Sequence, residues 1–297
     1  MEAVSVALDT QPSIVYPGKQ ETILIPLGDI QLGPALRGQS RATHLKRLRA
    51  VVQWGVDHNA YWQGMGDFSD VASPSNREAL RAARLYDTVR DTLEEGALDT
   101  LEELQDILKP TVGRWTGLVE GHHTWVFEDG TTTDTRMATF LDCRFLGSSA
   151  LITGRLPAEG QHKQPIVKLS AWHGEGGGGT LGAPLNKLER MVGDREADIY
   201  MMGHYHKAMA TKKPRLGTVG GERGGDPRIV HRDLLLVVTG SFMRSYQQGS
   251  KRDGRPGGGY AEKAGMSPAA LGVVACFIRP RTDRNGYVEV DLDYMSL

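Results

Sequence analysis

Short apolar runs that end in glycine or tryptophan and continue at once into Asp or His recur along this 297-residue chain. Such runs, rich in Val, Ile and Leu, alternate with helix-like stretches, which is the pattern of an α/β fold. Five of them read LIPLGDIQ, WQGMGDFSD, TGLVEGHHT, LSAWHGEG and YMMGHYH. Because neighbouring strands lie about 5 Å apart, side chains at several strand ends can converge on one place. The recurrence therefore predicts a functional site at the edge of a sheet.

The apolar runs also predict the order of the main elements. Strands are predicted at 22–27, 61–65, 115–119, 166–172, 199–202, 234–239 and 273–278. The three-and-four spacing of Leu45, Leu48, Val51 and Val52 indicates an amphipathic helix between 40 and 54. A helical insertion is predicted over 75–109, as two helices broken near Gly96. We expect a single domain over 1–297 with an N-terminal arm at 1–20, and mobile glycine-rich loops at 176–179, 211–232 and 249–260.

Composition excludes several classes of protein. The 35 Lys and Arg residues against 36 Asp and Glu leave a formal charge of −1, so any contact with nucleic acid has to be local. The longest aliphatic run, 234–238, is far below the roughly 20 residues of a membrane span, and the N-terminus lacks the basic region of a signal peptide. Two cysteines cannot build a disulfide framework. We therefore expect a cytoplasmic chain without membrane contact.

Histidine and aspartate dominate the five strand ends. Five of the nine histidines fall there, with two aspartates: His122, His123, His173, His204, His206, Asp29 and Asp67. A lone histidine after a strand is usually a hydrogen-bonded loop residue, but seven such groups are better explained by metal. Imidazole and carboxylate donors without thiolate favour manganese, with iron or zinc as alternatives. Because Asp67 can bridge two ions, and paired ions serve in-line displacement at phosphorus, the pattern indicates hydrolysis of a phosphate ester.

The motifs GDIQ, GDFSD, GHHT, AWHG and GHYH, in this order across 28–206, resemble the D-x-H, GDxxD, GNH(D/E), H and GHxH signature of calcineurin-like metallophosphoesterases. The resemblance implies one metallophosphoesterase domain, a four-layer α/β/β/α sandwich of two mixed β-sheets flanked by helices. It also implies two divalent metal ions. Asp29, Gln31, Asp67 and His206 would hold one ion, and Asp67, His122, His173 and His204 the other. His123 would then be the catalytic acid.

Three departures from the family pattern affect these expectations. Gln31 stands where the family has histidine, and an amide oxygen is a weaker donor, so the first metal site is expected to be weak. His122 replaces asparagine and remains a competent ligand. Thr124 replaces the carboxylate that follows the catalytic histidine, so the group that orients His123 has to come from elsewhere. Asp70 is expected to hold the turn after its strand through backbone amides.

The leading interpretation is a metal-dependent phosphodiesterase acting on nucleic acid or a nucleotide, as in the SbcD-type nuclease branch of the family. In that mechanism water activated by two metal ions attacks phosphorus. Basic glycine-rich segments at 212–223 and 251–255 favour a diester, since they could follow a nucleic-acid backbone. Two alternatives stay open: a phosphomonoesterase, and a non-catalytic binding or scaffold protein on a degenerate form of the fold. Gln31 favours the scaffold alternative, whereas the many retained metal ligands argue against it.

Overall fold

The computed structural model describes residues 1–16, 19–34, 42–72, 79–80, 83, 86–157, 164–220, 226–249, 251–252, 255–256, 260–282 and 288–297. Its strands are β1 (Glu2–Ala7), β2 (Gln11–Pro12), β3 (Gln20–Leu27), β4 (Tyr61–Gly64), β5 (Trp115–Leu118), β6 (Ser149–Arg155), β7 (Ile166–Trp172), β8 (Ile199–Met202), β9 (Met209–Val219), β10 (Arg228–Val238), β11 (Lys251–Arg252), β12 (Arg255–Pro256), β13 (Val274–Thr282) and β14 (Val288–Ser296). Its helices are α1 (Leu45–Asp57), α2 (Asp87–Leu108), α3 (Thr133–Phe140), α4 (Gly182–Asp194) and α5 (Tyr260–Lys263), with a 3-10 turn at Lys109–Thr111. None of the described helices is both long and apolar enough to cross a membrane.

Two mixed sheets carry the fold. The first has the order β1-β6-β7-β8-β10-β9, in which β7, β8 and β10 are parallel. The second has the order β14-β13-β3-β4-β5, in which β3, β4 and β5 are parallel. The register pairs Leu27 with Gly64 in one sheet and Trp172 with Met202 in the other. The parallel strands of each sheet therefore finish side by side, and the motif that follows each strand begins at a common edge.

Side chains of the two sheets pack against each other in the centre and against helices outside. Along β3, Leu24 belongs to the central core, whereas Ile25 packs with residues of α1, α2 and α3 on the outer face. Along β8, Met201 points to the central core and Met202 packs with α4. This alternation is the period of two expected for strands buried on both faces. The predicted four-layer α/β/β/α sandwich is confirmed.

The predicted break near Gly96 is wrong, because α2 continues through this glycine. A glycine inside a helix costs about 1 kcal/mol relative to alanine. Burial of Ala97, Leu101 and Leu104 in the outer core offsets that cost. Of the predicted insertion at 75–109, residues 75–78, 81–82 and 84–85 lie outside the described residues.

Three predictions, for the N-terminal arm and for two glycine-rich loops, need correction. The N-terminal arm at 1–20 contains β1, which pairs in parallel with β6 and is part of the first sheet. The loop predicted at 211–232 is mostly a hairpin, because β9 and β10 pair along their whole length, from Met209 opposite Val238 to Val219 opposite Arg228. Residues 221–225 lie outside the described residues. The distal half of this hairpin exposes Leu216 and Ile229 and has no buried face. The alternation of apolar and polar residues that predicts a strand is therefore missing from its sequence. Within the predicted loop at 249–260, β11 pairs with β12, and residues 250, 253–254 and 257–259 are not described.

Candidate metal centre

Every predicted site residue lies just beyond the end of a parallel strand. Asp29 and Gln31 follow β3, Asp67 follows β4, His122 and His123 follow β5, His173 follows β7, and His204 and His206 follow β8. The first three strands belong to one sheet and the last two to the other. Contacts between these segments bring four of the side chains into one group and place the other four beside it, as the following distances describe. Their functional roles stay predictions.

Four of these residues form a group with the composition of a metal site. One ligand atom from each of Asp67, His122, His173 and His204 lies within 4.8 Å of the others. Nε2 of His173 is 3.1 Å from Oδ2 of Asp67, and Nδ1 of His122 is 3.1 Å from Nδ1 of His204. Three imidazoles and one carboxylate are donors suited to zinc, iron or manganese. The group could therefore hold a metal ion.

Unsatisfied buried atoms support this fit. Nε2 of His173 and Oδ1 of Asp29 are buried and have no hydrogen-bond partner among the residues that the structure describes. A buried polar atom without a partner costs free energy unless something else binds it. Nδ1 of His173 donates to the carbonyl oxygen of Met65 at 2.5 Å, which leaves Nε2 as the nitrogen that faces the cluster. Both atoms are thus oriented as metal ligands.

The ionisation states also suit metal binding. Burial alone would raise the pKa of Asp67, but the charge of His173 outweighs it and holds that pKa below its ordinary value. Burial alone would lower the pKa of His173, but the Asp67 charge raises it to about 9. Burial lowers the pKa of both His122 and His204, and His173 adds to the effect. At neutral pH the carboxylate is therefore ionised, and His122 and His204 are neutral rings with a lone pair to donate. The ring of His173 is protonated beside Asp67 and releases one proton when it binds a metal.

Backbone strain is concentrated at the cluster. Of the seven non-glycine residues with positive φ in the described part of the chain, five are candidate ligands, with φ between 48° and 70°: Asp29, Gln31, Asp67, His204 and His206. Residues other than glycine seldom adopt this backbone conformation, because it costs of order 1 kcal/mol or more. Such residues are concentrated at functional sites. Gly121 allows the close approach, because a Cβ there would clash with the Asp67 carboxylate. The chain thus accepts strain to bring these donors together.

The first predicted metal site differs from the second. Oδ2 of Asp29 accepts hydrogen bonds from the His204 backbone N–H at 2.9 Å and from Thr239 Oγ1 at 3.0 Å. Nε2 of His206 lies 3.4 Å from Oδ1 of Asp29 and 3.2 Å from Nε2 of Gln31. An amide nitrogen has no lone pair for a metal, so in this orientation Gln31 donates to His206 rather than acting as a ligand. Sequence reasoning missed Thr239, although it follows directly on β10.

The orientation of His123 comes from Asp70. Oδ1 of Asp70 is 2.8 Å from Nδ1 of His123, and the His123 backbone N–H donates to Oδ1 of Asp67 at 2.7 Å. The expectation that the Asp70 side chain holds its own turn is therefore replaced by a contact across two motifs. Because a carboxylate on Nδ1 selects the ring tautomer, Nε2 of His123 is the nitrogen left to exchange a proton.

Asp134 is a buried carboxylate that sequence reasoning did not find. Its Oδ2 accepts hydrogen bonds from the Gly121 backbone N–H at 3.0 Å and from Thr124 Oγ1 at 2.7 Å. These two donors flank the His122–His123 pair, so Asp134 fixes both ends of the turn. Burial raises its pKa to about 6 in spite of the two hydrogen bonds. Asp134 lies in the first turn of α3, and no local signal connects that position to the GHHT motif.

No protein-family model matches the chain, and no curated protein matches it. Among solved structures it is similar to Vps29 from Chaetomium thermophilum, at 11% identity and a TM-score of 0.33 over 93% of this chain and 96% of that one. A Vps29 double mutant from Entamoeba histolytica matches at 10% identity and a TM-score of 0.33, over 93% and 99%. A conserved uncharacterized protein from Streptococcus pneumoniae, described as a predicted phosphoesterase, matches at 11% identity and a TM-score of 0.33, over 93% of this chain and 98% of that one. These scores are too low to establish a family.

Proposed function

We propose that this chain is a metal-dependent phosphoesterase that hydrolyses a phosphodiester, in a nucleic acid or a nucleotide. The observation that carries the proposal is the position of the paired His123 and Asp70 directly beside the Asp67 group of ligands. A metal site and a histidine able to move a proton, fixed at one edge of a sheet, are what hydrolysis of a phosphate ester requires.

The residues divide into two ligand sets. Asp67, His122, His173 and His204 would hold one divalent ion, and Asp29, Asp67 and His206 a second, weaker one, which Gln31 could join only through its amide oxygen. We expect manganese, with iron or zinc as alternatives. When bound, the ions would stabilise negative charge on the phosphoryl oxygens and lower the pKa of a water molecule.

His123 acts on the leaving group. Asp70 holds Nδ1 of the ring and stabilises positive charge on it, so the proton at Nε2 is the one delivered to the departing oxygen. The hydrogen bond from the backbone N–H of His123 to the Asp67 carboxylate keeps this residue next to the ligand cluster. Proton delivery matters most for the alkoxide leaving groups of nucleic acids and nucleotides, because they are poor leaving groups.

The surroundings of the cluster favour a diester over a monoester. A phosphomonoester dianion is usually held by Arg or Lys. The nearest lysine in sequence, Lys207, gives its hydrogen bonds to backbone carbonyls. The lysine beside the site is therefore occupied by backbone carbonyls, which suits a singly charged phosphate better than a dianion.

A second candidate is a non-catalytic binding protein, which one observation favours. The Gln31 amide contacts His206 in place of a ligand histidine, which weakens the first metal site. A protein without catalytic activity would tolerate the loss of this metal ligand. The retained His123–Asp70 pair makes the enzyme the better supported candidate.

An assay on defined substrates separates these candidates. The protein is stripped with a chelator, reloaded with Mn²⁺, Fe²⁺ or Zn²⁺, and assayed on bis-p-nitrophenyl phosphate, p-nitrophenyl phosphate, and single- and double-stranded DNA. We expect metal-dependent hydrolysis of the diesters to exceed that of the monoester. His231→Ala is the matched control, because His231 lies on the solvent-exposed half of β10, distant from the strand ends that form the site. Metal binding with no hydrolysis of any substrate would instead support the binding protein.

A further inference from the structure

A run of four glycines stands next to a candidate ligand. Residues 174–181 connect His173 to α4 and contain glycine at 176–179. Glycine gives up the most conformational freedom when it is ordered, so such a run does not hold one conformation by itself. Side chains from outside the loop nevertheless hold it in place, because they donate hydrogen bonds to its backbone carbonyl oxygens.

Lys207 makes the largest set of these contacts. Its side chain is almost fully buried, with 8% of the residue exposed. Nζ donates to the carbonyl oxygens of Gly178, Gly179 and Thr180 at 3.0, 3.3 and 2.9 Å. An ammonium has three donors, and all three are used here. Lys207 is therefore satisfied by one loop and has no hydrogen left for a phosphate.

Two neighbours of Lys207 fasten the other end of the loop. The Tyr205 hydroxyl donates to the Glu175 carbonyl oxygen at 2.9 Å. Nε2 of His204 lies 2.8 Å from the Gly176 carbonyl oxygen. Because a carbonyl can only accept, Nε2 of His204 carries the proton, and its Nδ1 is the nitrogen that faces His122.

We propose that Lys207 is a positioning residue for the metal centre. By clamping the glycine run it holds the Gly176 carbonyl against His204, and this contact selects Nδ1 of His204 as the metal ligand. The clamp also joins the segment after β7, which carries His173, to the segment after β8, which carries His204. The proposal rests on the proposed function only in assuming that these histidines bind metal.

The test compares Lys207→Met with Lys213→Met. Methionine keeps most of the length of the side chain and removes its charge and donors. Lys213 lies on β9, six residues after Lys207, and pairs with Glu189 at the surface, which makes it the matched control. A glutamate-specific protease reports on the loop directly, since Glu175 is exposed and precedes Gly176. Cleavage of the bond between 175 and 176 is followed by mass spectrometry, and Mn²⁺ and Zn²⁺ affinity by calorimetry.

We expect Lys207→Met to be cleaved at this bond about tenfold faster than the wild type or more, because three hydrogen bonds are lost. Its metal affinity should fall about 10- to 100-fold, as for other residues that orient a ligand. Lys213→Met should match the wild type in both measurements. Unchanged cleavage would refute the clamp, and faster cleavage with unchanged metal affinity would refute the positioning role.

Two further measurements keep the outcomes distinct. If Lys207→Met fails to fold, Lys207→Gln keeps a polar group at this buried position with two donors in place of three, and should speed cleavage about fivefold, the effect of one hydrogen bond. No change in that variant would overturn the proposal. A wild-type protein that binds neither metal would refute the proposed function and the role toward His204, while the cleavage rates still decide whether Lys207 clamps the loop.

Discussion

The ring of His123 is held by Asp70, with 2.8 Å between Nδ1 and Oδ1, while its backbone N–H donates to Asp67. Both carboxylates come from the GDFSD motif, so one loop fixes the main chain and the ring of the proposed acid. This arrangement supplies the orientation that Thr124, without a carboxylate, cannot give directly. It also separates two functions in adjacent residues, since His122 faces His204 and His123 faces Asp70.

Replacing His123 with Ala should leave metal bound and lower kcat on DNA by about two to four orders of magnitude, because the leaving oxygen is no longer protonated. Asp70→Asn should cause a smaller loss, since the ring remains but is no longer stabilised as a cation. The measurements are kcat and metal content of each purified variant, with His231→Ala as the control. Loss of metal from His123→Ala would show that His123 is a ligand instead.

Gln31→His should raise the metal content from near one toward two ions per chain. An imidazole would offer a lone pair where the amide nitrogen now contacts His206. Metal content is measured by elemental analysis after gel filtration. Gln53→His, on the exposed side of α1, controls for adventitious binding by an added histidine. Equal content in the wild type and Gln31→His would remove position 31 from the coordination shell.

Metal should stabilise the folded chain through the four-residue group. At a concentration 100 times Kd, a ligand that binds only the folded state adds about 2.7 kcal/mol, which corresponds to a rise in Tm of about 5 °C for a chain of this size. The shift is measured by calorimetry with Zn²⁺ or Mn²⁺ and reversed with a chelator. His204→Ala should abolish most of it, and His231→Ala should retain it. An undiminished shift in His204→Ala would place the ion elsewhere.

Asp134 should make stability depend on pH in a defined direction. Its pKa in the folded chain is about 6, above the value near 3.9 of an unfolded carboxyl. The folded state therefore binds the proton more tightly, and the free energy of unfolding falls by about 2 kcal/mol as pH rises from 4 to 7, then levels off. Asp134→Asn should lack this fall.

Urea unfolding of chelator-treated protein at pH 4, 5, 6 and 7 measures this effect as the difference between wild type and variant. Asp106→Asn, on the exposed side of α2, should follow the wild type. Parallel curves for the wild type and Asp134→Asn would contradict the assigned cause, which is burial of the carboxyl group.

Much of the fold could be predicted from the sequence because the central strands are buried on both faces. Continuous apolar runs such as those of β3, β7 and β8 predict strands at the correct places. The exposed half of the β9–β10 hairpin lacked such a pattern and was predicted as a loop. The continuity of α2 through Gly96 could not be predicted either, because it depends on the burial of one helix face.

The sequence by itself determined which donors stand at the strand ends and in which order, since both follow from local pattern. Only the tertiary structure decided which atoms meet. The contacts of His123 with Asp70 and of His204 with Gly176 join segments that follow different strands and are far apart in the sequence. The physical reason is that strand ends follow from local burial, whereas the partner of each ring nitrogen depends on how the two sheets and their loops pack.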